Sequence, residues 1–405
     1  MKSMRTNPID SKNAGLRNEE LILNLLRKRG PLSQAQICKL TGLGSSTASY
    51  ITGRLREKNL ILEKTGDSAK RGAKPIILNI NPQARFITAV SLQPTTFTMA
   101  LFDFNCQMLE EIHTTAQTDN SVEHLCDKIQ TNLSELLSRH NIEQKALLGI
   151  GITLSGSISP DGIVKLSSPL GWKNVPLKKL LSERLNCPVS IYSTRVRFLA
   201  EIAVNDSLAA KTVLYINIAD GVGGTLYSEG KIMGGASGRF GELGHVVIDP
   251  QGPICGCGQK GCLEAFISGP AISKKIKTDI AQSRETSLKN TINEPDKPEE
   301  VINKCFKAAE QNDDYAISIR NMLTERLTSA AAAAIDYYDP DILMLTGYVV
   351  KPCMNYLIDS IKQVISSGIY DSASRNITVL PAQVGKDALI KGLAMAVLQN
   401  SAPIV

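Results

Sequence analysis

The segment GELGHVVIDPQGPICGCGQKGCLE, residues 241–264, constrains this chain more than any other. His245 is followed ten residues later by Cys255, then by Cys257 and Cys262. Three thiolates and one imidazole are the donor set of a closed tetrahedral zinc site. Four protein ligands leave no open position for water, so the ion is expected to be structural and not a Lewis acid. The glycines at 256, 258 and 261 are expected to supply the tight turns that wrap three thiols around one ion. The alternative is three buried free cysteines, but one of only four histidines in the chain lies beside them. A redox role is disfavoured, because no C-x-x-C pair is present. The other six of the nine cysteines are scattered singly, which fits a reducing cytoplasm better than a disulfide scaffold.

Length and charge frame this segment. A chain of 405 residues predicts two or three domains, and 43% apolar residues suffice for a packed core. No run of 18 apolar residues exists, so no membrane span is expected. The opening MKSMRTNPIDSKN carries no apolar stretch, so a secretory signal is not expected. Residues 1–80 hold 15 Lys+Arg against 6 Asp+Glu, while the remaining residues hold 30 against 33. A basic head on a near-neutral body points to a polyanion partner for the head alone.

The head reads as helices followed by a wing. Leu16, Ile22, Leu25 and Leu26 fall near helical spacing, and Gly30-Pro31 ends that helix. Ser33 is placed to cap a second helix, with Gln36 bonding back as its third residue. Ile37 and Leu40 are expected to face inward, and Gly42 to close the turn. A third helix starts near Ser45, with Ala48, Ile51 and Leu55 along one face. Leu60–Leu62 and Ile76–Leu78 read as two strands around a polar turn. A winged helix-turn-helix of this kind places the start of its third helix in the major groove. The expected DNA contacts are Ser45, Ser46, Thr47, Tyr50 and Arg54 on that helix, and Lys70, Arg71 and Lys74 on the wing. Arg56 and Lys58 lie near the helix end, where phosphates are met without reading sequence. A small winged domain that binds protein is the alternative.

From Arg85 onward, buried strands alternate with helices. RFITAVSL and TTFTMALFDF lead into MLEEIHTT as a hairpin or meander. Residues 121–139 form a helix with Leu125, Ile129, Leu133 and Leu136 on one side. TVLYINIADGVGGTLYSEGKIMGG gives two strands around a glycine turn, and residues 281–300 read as a polar surface excursion. The predicted organisation is a winged helix-turn-helix at 1–80, a first α/β lobe at 81–200 and a second at 201–405. The last helix, 388–399, is expected to pack back on the first lobe, and the metal loop 245–262 to lie in the second.

Taken together, the metal segment, GIGITLSGSISPDGIV at 149–164 and the basic head resemble the ROK family of repressors, open reading frames and sugar kinases. The resemblance is to its repressor branch and covers nearly the whole chain. It implies an actin-like, ribonuclease H-like body of two lobes around a ligand cleft, assembled as a homodimer or tetramer. It implies zinc on His245, Cys255, Cys257 and Cys262, and sugar contacts from Gly156, Glu242, His245 and Glu264. Relatives repress genes for the use of glucose, xylose or N-acetylglucosamine.

Where kinase members of the family carry an Asp and glycines in their first phosphate loop, this chain has Ser91-Leu92-Gln93-Pro94. Their Asn-Asp pair, which holds the base, falls on Tyr192-Ser193, and a third glycine-rich segment on Thr346-Gly347-Tyr348. A serine hydroxyl is a poor base beside a carboxylate, and proline has no N–H for a phosphate nest. Only DGVGGT at 220–225 stays glycine-rich. Arg195 and Arg197 suit either a phosphorylated or acidic sugar or a solvated surface, and the surface is the expected place for at least one.

The expectation is a DNA-binding regulator, not an enzyme. It represses carbohydrate-utilisation genes, binds a near-palindromic duplex operator, and releases it when a sugar or sugar derivative binds between the lobes. The alternatives are a ROK-type sugar kinase with an accessory head, and a DNA-bound regulator controlled by a protein partner.

Overall fold

The computed structural model describes residues 11–65, 75–93, 96–115, 119–167, 169–385 and 387–401, without the side chains of 11–14. Three of the expected DNA contacts, Lys70, Arg71 and Lys74, and the Pro94 of the first loop lie outside these residues.

The head begins with α1 (Ser11–Arg29) and a short β1 (Leu32–Ser33), followed by α2 (Gln34–Thr41) and α3 (Ser45–Glu57). Ser33 and Gln36 form a reciprocal capping box on α2, and Gly42 closes it with φ +72°. The wing strands are β2 (Ile61–Thr65) and β3 (Ile76–Ile80), with β1 added antiparallel at the far edge of β3. Ile22, Leu23, Leu26, Ile37, Ile51 and Leu55 fill the core. Leu40 does not join them and stands exposed. It lies three residues after Ile37, at the end of an eight-residue helix with a single fully buried position.

The first α/β sheet comes from β4 (Phe86–Leu92), β5 (Thr96–Asp103) and β6 (Met108–Thr115), an antiparallel meander. After α4 (Val122–Arg139), β7 (Leu147–Leu154) pairs parallel to β4. The chain then makes an excursion through β8 (Ser157–Ile158), β9 (Val164–Ser167) and β10 (Trp172–Val175). It returns through α5 (Leu177–Leu185) to β11 (Val189–Ser193), giving the order β11-β7-β4-β5-β6. β4 is buried along nearly its whole length, as a strand covered on both faces must be.

The second sheet repeats this plan. After α6 (Phe198–Val204) come β12 (Val213–Ile218), β13 (Val222–Ser228) and β14 (Lys231–Ile232), again antiparallel. Helices α7 (Glu264–Ile267), α8 (Gly269–Ala281), α9 (Pro298–Glu310) and α10 (Asp314–Tyr338) precede β15 (Ile342–Thr346). Then α11 (Met354–Ser367) leads to β16 (Thr378–Pro381), and α12 (Ala388–Asn400) closes the chain. β15 and β16 add in parallel, so the order β16-β15-β12-β13-β14 matches that of the first sheet. Leu214, Ile216, Leu323, Leu327, Leu343 and Leu357 belong to the core beneath it.

The chain groups into two compact units, which differ from its division in sequence order. One holds the head and first sheet through Leu154, then Val175–Tyr192 and the chain from Ile390. The other holds Ser155–Asn174 and Ser193–Leu389. The excursion after β7 belongs with the second unit because Ser157 accepts a hydrogen bond from Arg239 there, and the backbone at Ile158 abuts Gly238. In the first unit, Ala84, Phe104, Leu148 and Leu398 join the apolar core of the head. Among the described residues no helix is long and apolar enough to cross a membrane.

Candidate functional site

On α3, Ala48, Ile51, Thr52 and Leu55 are buried, which turns Ser45, Ser46, Thr47 and Tyr50 outward. Tyr50 is 67% exposed. Gly44 precedes the helix without a side-chain cap, so the first-turn N–H groups are not satisfied by a cap and suit a phosphate. Arg54 is engaged within the head: it pairs with the buried Glu19 of α1 at 3.0 Å, and its guanidinium lies 5.9 Å from the Tyr50 ring centroid. Lys58 reaches the same Glu19, and Arg56 pairs with Glu63 at 3.0 Å. The sequence reading did not find these pairings, because Glu19 lies a full helix away.

In the second unit His245, Cys255, Cys257 and Cys262 converge, with one ligand atom of each within 4.8 Å of all the others. His245 Nδ1 and Cys255 Sγ are 3.7 Å apart, as are the sulfurs of Cys257 and Cys262. Ligands about 2.3 Å from a central ion in a tetrahedron stand about 3.8 Å apart, so the spacing fits a four-coordinate metal. Burial first, then the neighbouring sulfurs, pushes the Cys262 thiol up to about 12. Only a cation at the centre would hold all three as thiolates at neutral pH.

The loop follows from local geometry. The Cys255 N–H donates to Gln259 and the Gly258 N–H to Cys255, closing a tight turn between the thiols. Gly258 and Gly261 have φ of +92° and +74°, and a Cβ at Gly261 would stand 1.6 Å from the Asp249 carbonyl. Gly256 has neither a positive φ nor a crowded neighbourhood, so two of the three expected glycines are required and the third is not.

The expected sugar contacts also lie in this unit. Glu264 accepts a 2.8 Å hydrogen bond from the Val222 N–H, and its other oxygen is 3.9 Å from Cys255 Sγ. Gly221 makes room for that carboxylate, and Gly224 and Gly241 bring two backbones together. The glycines of DGVGGT thus seat Glu264 and the 241–245 segment. Glu242 is exposed, at the start of the turn that carries His245. Gly156 has φ +153°, and a Cβ there would meet the Leu166 carbonyl at 2.4 Å. It joins the others through Ser157 and Ile158, which touch Arg239 and Gly238.

Arg195 and Arg197 are both half-buried, which corrects the expectation of a solvated surface for one of them. Arg195 donates from Nε to Ser193 Oγ and from its terminal nitrogens to the carbonyls of Gly238 and Phe240. Arg197 donates to Asn217 Oδ1 at 2.6 Å. Desolvation lowers the pKa of both. Sequence reasoning missed Arg239 and Ser157, whose only signal was a lone arginine in a glycine-rich loop.

The positions matching kinase loops are otherwise employed. Tyr192 donates to the Ala396 carbonyl within the first unit, and Ser193 is the acceptor for Arg195. Gly347, at φ +108°, packs on the Ile218 carbonyl. Tyr348 donates a 2.7 Å hydrogen bond to Asp220 and lies against Gly269 at the N-terminus of α8, where a Cβ would meet its hydroxyl at 2.0 Å. A phenol therefore occupies the corner between the glycine turn and that helix.

Fold and site together define a winged-helix DNA-binding module on a sugar-kinase-like α/β body that carries a His-Cys loop able to hold a metal. The ROK family model matches residues 87–400, and a model described as winged helix-turn-helix DNA-binding matches 16–61. The chain belongs to the ROK family. It is 24% identical over 389 residues to the xylose repressor of Bacillus spizizenii, covering 96% of each protein. It is 23% identical to the DNA-binding transcriptional dual regulator NagC of Escherichia coli, over 93% of this chain and 91% of that protein. Among solved structures, a ROK family transcriptional regulator, a homolog of the E. coli MLC protein, aligns with TM-score 0.81 at 24% identity, over 96% of this chain and 97% of its own. A ROK family glucokinase from Streptomyces griseus, solved with glucose and AMPPNP, aligns with TM-score 0.62 at 21% identity, over 78% of this chain and 100% of its own.

Proposed function

We propose that this protein is a transcriptional repressor of carbohydrate-utilisation genes in a reducing cytoplasm. Residues 1–80 read duplex DNA, and the body senses a sugar or sugar derivative. The observation that carries this reading is the α3 face of Ser45, Ser46, Thr47 and Tyr50, exposed while the opposite face is buried. Side chains at that place meet base edges in the major groove, while the wing cations Lys70, Arg71 and Lys74 would meet phosphates, and Arg54, held by Glu19, would meet one with its remaining N–H donors. The regulators that align from end to end support the same reading. A homodimer or tetramer would present paired heads to a near-palindromic operator. The effector would contact Gly156, Glu242, His245 and Glu264.

The metal is proposed to be zinc, since three thiolates and an imidazole at tetrahedral spacing leave it closed to water. Bound there, it supplies no reaction chemistry. It fixes the imidazole of His245 and the position of Glu264 through Cys255. Phosphoryl transfer lacks its parts, because Ser193 accepts from Arg195 and Tyr348 fills the glycine corner.

Fluorescence anisotropy with the DNA flanking the gene, between about 50 and 200 mM salt, tests the reading. Specific, salt-sensitive binding is expected, weakened about tenfold or more by Tyr50→Ala and relieved by a sugar ligand. Absence of specific affinity at every salt concentration overturns it. ATP-dependent phosphorylation of a sugar would establish the kinase alternative. Operator binding that no sugar alters would favour control by a protein partner.

A further inference from the structure

We propose that the effector is a carbohydrate anion, a sugar phosphate or a sugar acid, whose charged group is received by Arg195 and Arg239. This rests on the sensor reading above and narrows its ligand class.

Three features of the second unit carry it. The first is charge without compensation. Arg195 is half-buried, and none of the ion pairs among the described residues involves Arg195, Arg197 or Arg239. The acid whose field reaches Arg195 is the exposed Glu242, out of contact with it. A guanidinium withdrawn from water and held by neutral carbonyls is a charge that still lacks a counter-charge.

The second is convergence. Arg239 sits between Gly238 and Phe240, the two residues whose carbonyls accept from Arg195. Its own Nε donates to Ser157 Oγ at 3.0 Å. The two guanidinium groups thus bond to one loop and to Ser157, the residue after Gly156. Gly234, Gly235, Ala236 and Ser237, on the same loop, are exposed, so a solute can reach it. A planar guanidinium offers parallel N–H donors that match a phosphate or carboxylate in bidentate fashion.

The third is what the strand end cannot do. A neutral sugar is best held by a carboxylate or amide that accepts from its hydroxyls. At the end of β11 stands Ser193, already an acceptor for Arg195. Of the two nearby carboxylates, Glu242 is exposed and Glu264 already accepts from the Val222 backbone with one oxygen. The N–H groups that Arg195 and Arg239 leave unengaged outnumber the remaining carboxylate oxygens, which suits an anion.

The test uses the full-length protein with its metal and isothermal titration calorimetry. The probes are glucose, mannose, galactose and N-acetylglucosamine, their 6-phosphates, and glucuronate and galacturonate. Operator release by each probe is followed in parallel. One charged sugar is expected to bind at least tenfold more tightly than its neutral parent. Arg239→Gln, at an exposed position, and Arg195→Gln are each expected to shrink that ratio at least tenfold. The phosphate and uronate arms identify which anion is used. A neutral parent that binds as tightly as its anion, and releases operator, overturns this inference while leaving the regulator reading in place. An anion preference untouched by both substitutions overturns the assignment to these arginines. If no probe binds while specific operator affinity persists, the ligand class and the sensor role fall together and the DNA-binding role stands. Circular dichroism and metal content of Arg195→Gln guard against loss through misfolding, and Arg239→Gln then decides.

Discussion

Arg27 meets Phe104 across 77 residues of sequence, whereas His245 meets Cys255 across ten. Both contacts hold a functional element in place, by unlike means. At the first, Arg27 Nε donates to the Phe104 carbonyl and its guanidinium lies 4.4 Å from the centroid of the Phe104 ring. That ring is fully buried in the core of the winged helix, although Phe104 follows β5 of the first sheet. Burial lowers the Arg27 pKa to about 10, which still leaves it a cation at neutral pH. At the second, four donor atoms converge within 4.8 Å of one another, and Val246, Val247 and Ile254 around them are exposed. The head shares its core with the first sheet, while the four donors stand at the spacing of a coordination site, so one is expected to yield to cavities and the other to chelators.

Removing the metal is expected to have the largest effect. Cys262→Ser, or an excess of a strong chelator, should cost about 4 kcal/mol or more and lower the melting temperature by roughly 10 °C. Elemental analysis should find about one zinc per chain in the parent and almost none in the variant. A melting curve indifferent to both treatments would show that backbone hydrogen bonds alone hold the loop.

Next in size is Phe104→Ala. Loss of a fully buried ring should cost about 3–4 kcal/mol. Because that ring belongs to the head's core, hydrogen-exchange protection should fall together in α1, α3 and β5. Protection lost in β5 alone would mean that the head is stabilised independently, and the contrast with the metal loop would disappear.

These two regions also show what the sequence reveals. The cluster of His245, Cys255, Cys257 and Cys262, the Ser33–Gln36 capping box and the turn at Gly42 are set by neighbours within 17 residues, and each was legible. The buried faces of α3 and α4 were legible because their periodicity is itself the physical cause of burial. Long-range partnership was not. Nothing in the local pattern shows that Phe104 enters the head, that β1 pairs with β3, or that Glu19 takes up Arg54 and Lys58. Leu40 has the composition of a core residue but lies where its short helix has no neighbour to cover it. The fate of Arg195 and Arg197 depended on carbonyls and an asparagine 20–45 residues away. The role of the glycine-rich DGVGGT turn was not legible, because spacing shows that backbones come close, not what they come close to.

That last point can be measured, with the smallest expected effect. Burial, and then the Asp220 carboxylate, hold the Tyr348 phenol well above its usual pKa, so it is a donor at neutral pH. Tyr348→Phe removes this donor and keeps the ring over Gly269. The net loss should be about 1 kcal/mol, read as a shift in denaturant midpoint with an unchanged slope. If the phenol merely fills space, parent and variant will unfold together at every pH. If the corner still handled phosphate, the variant would bind a nucleotide that the parent does not. Neither protein is expected to phosphorylate a sugar, because the hydroxyl at Ser193 remains bonded to Arg195 and supplies no base.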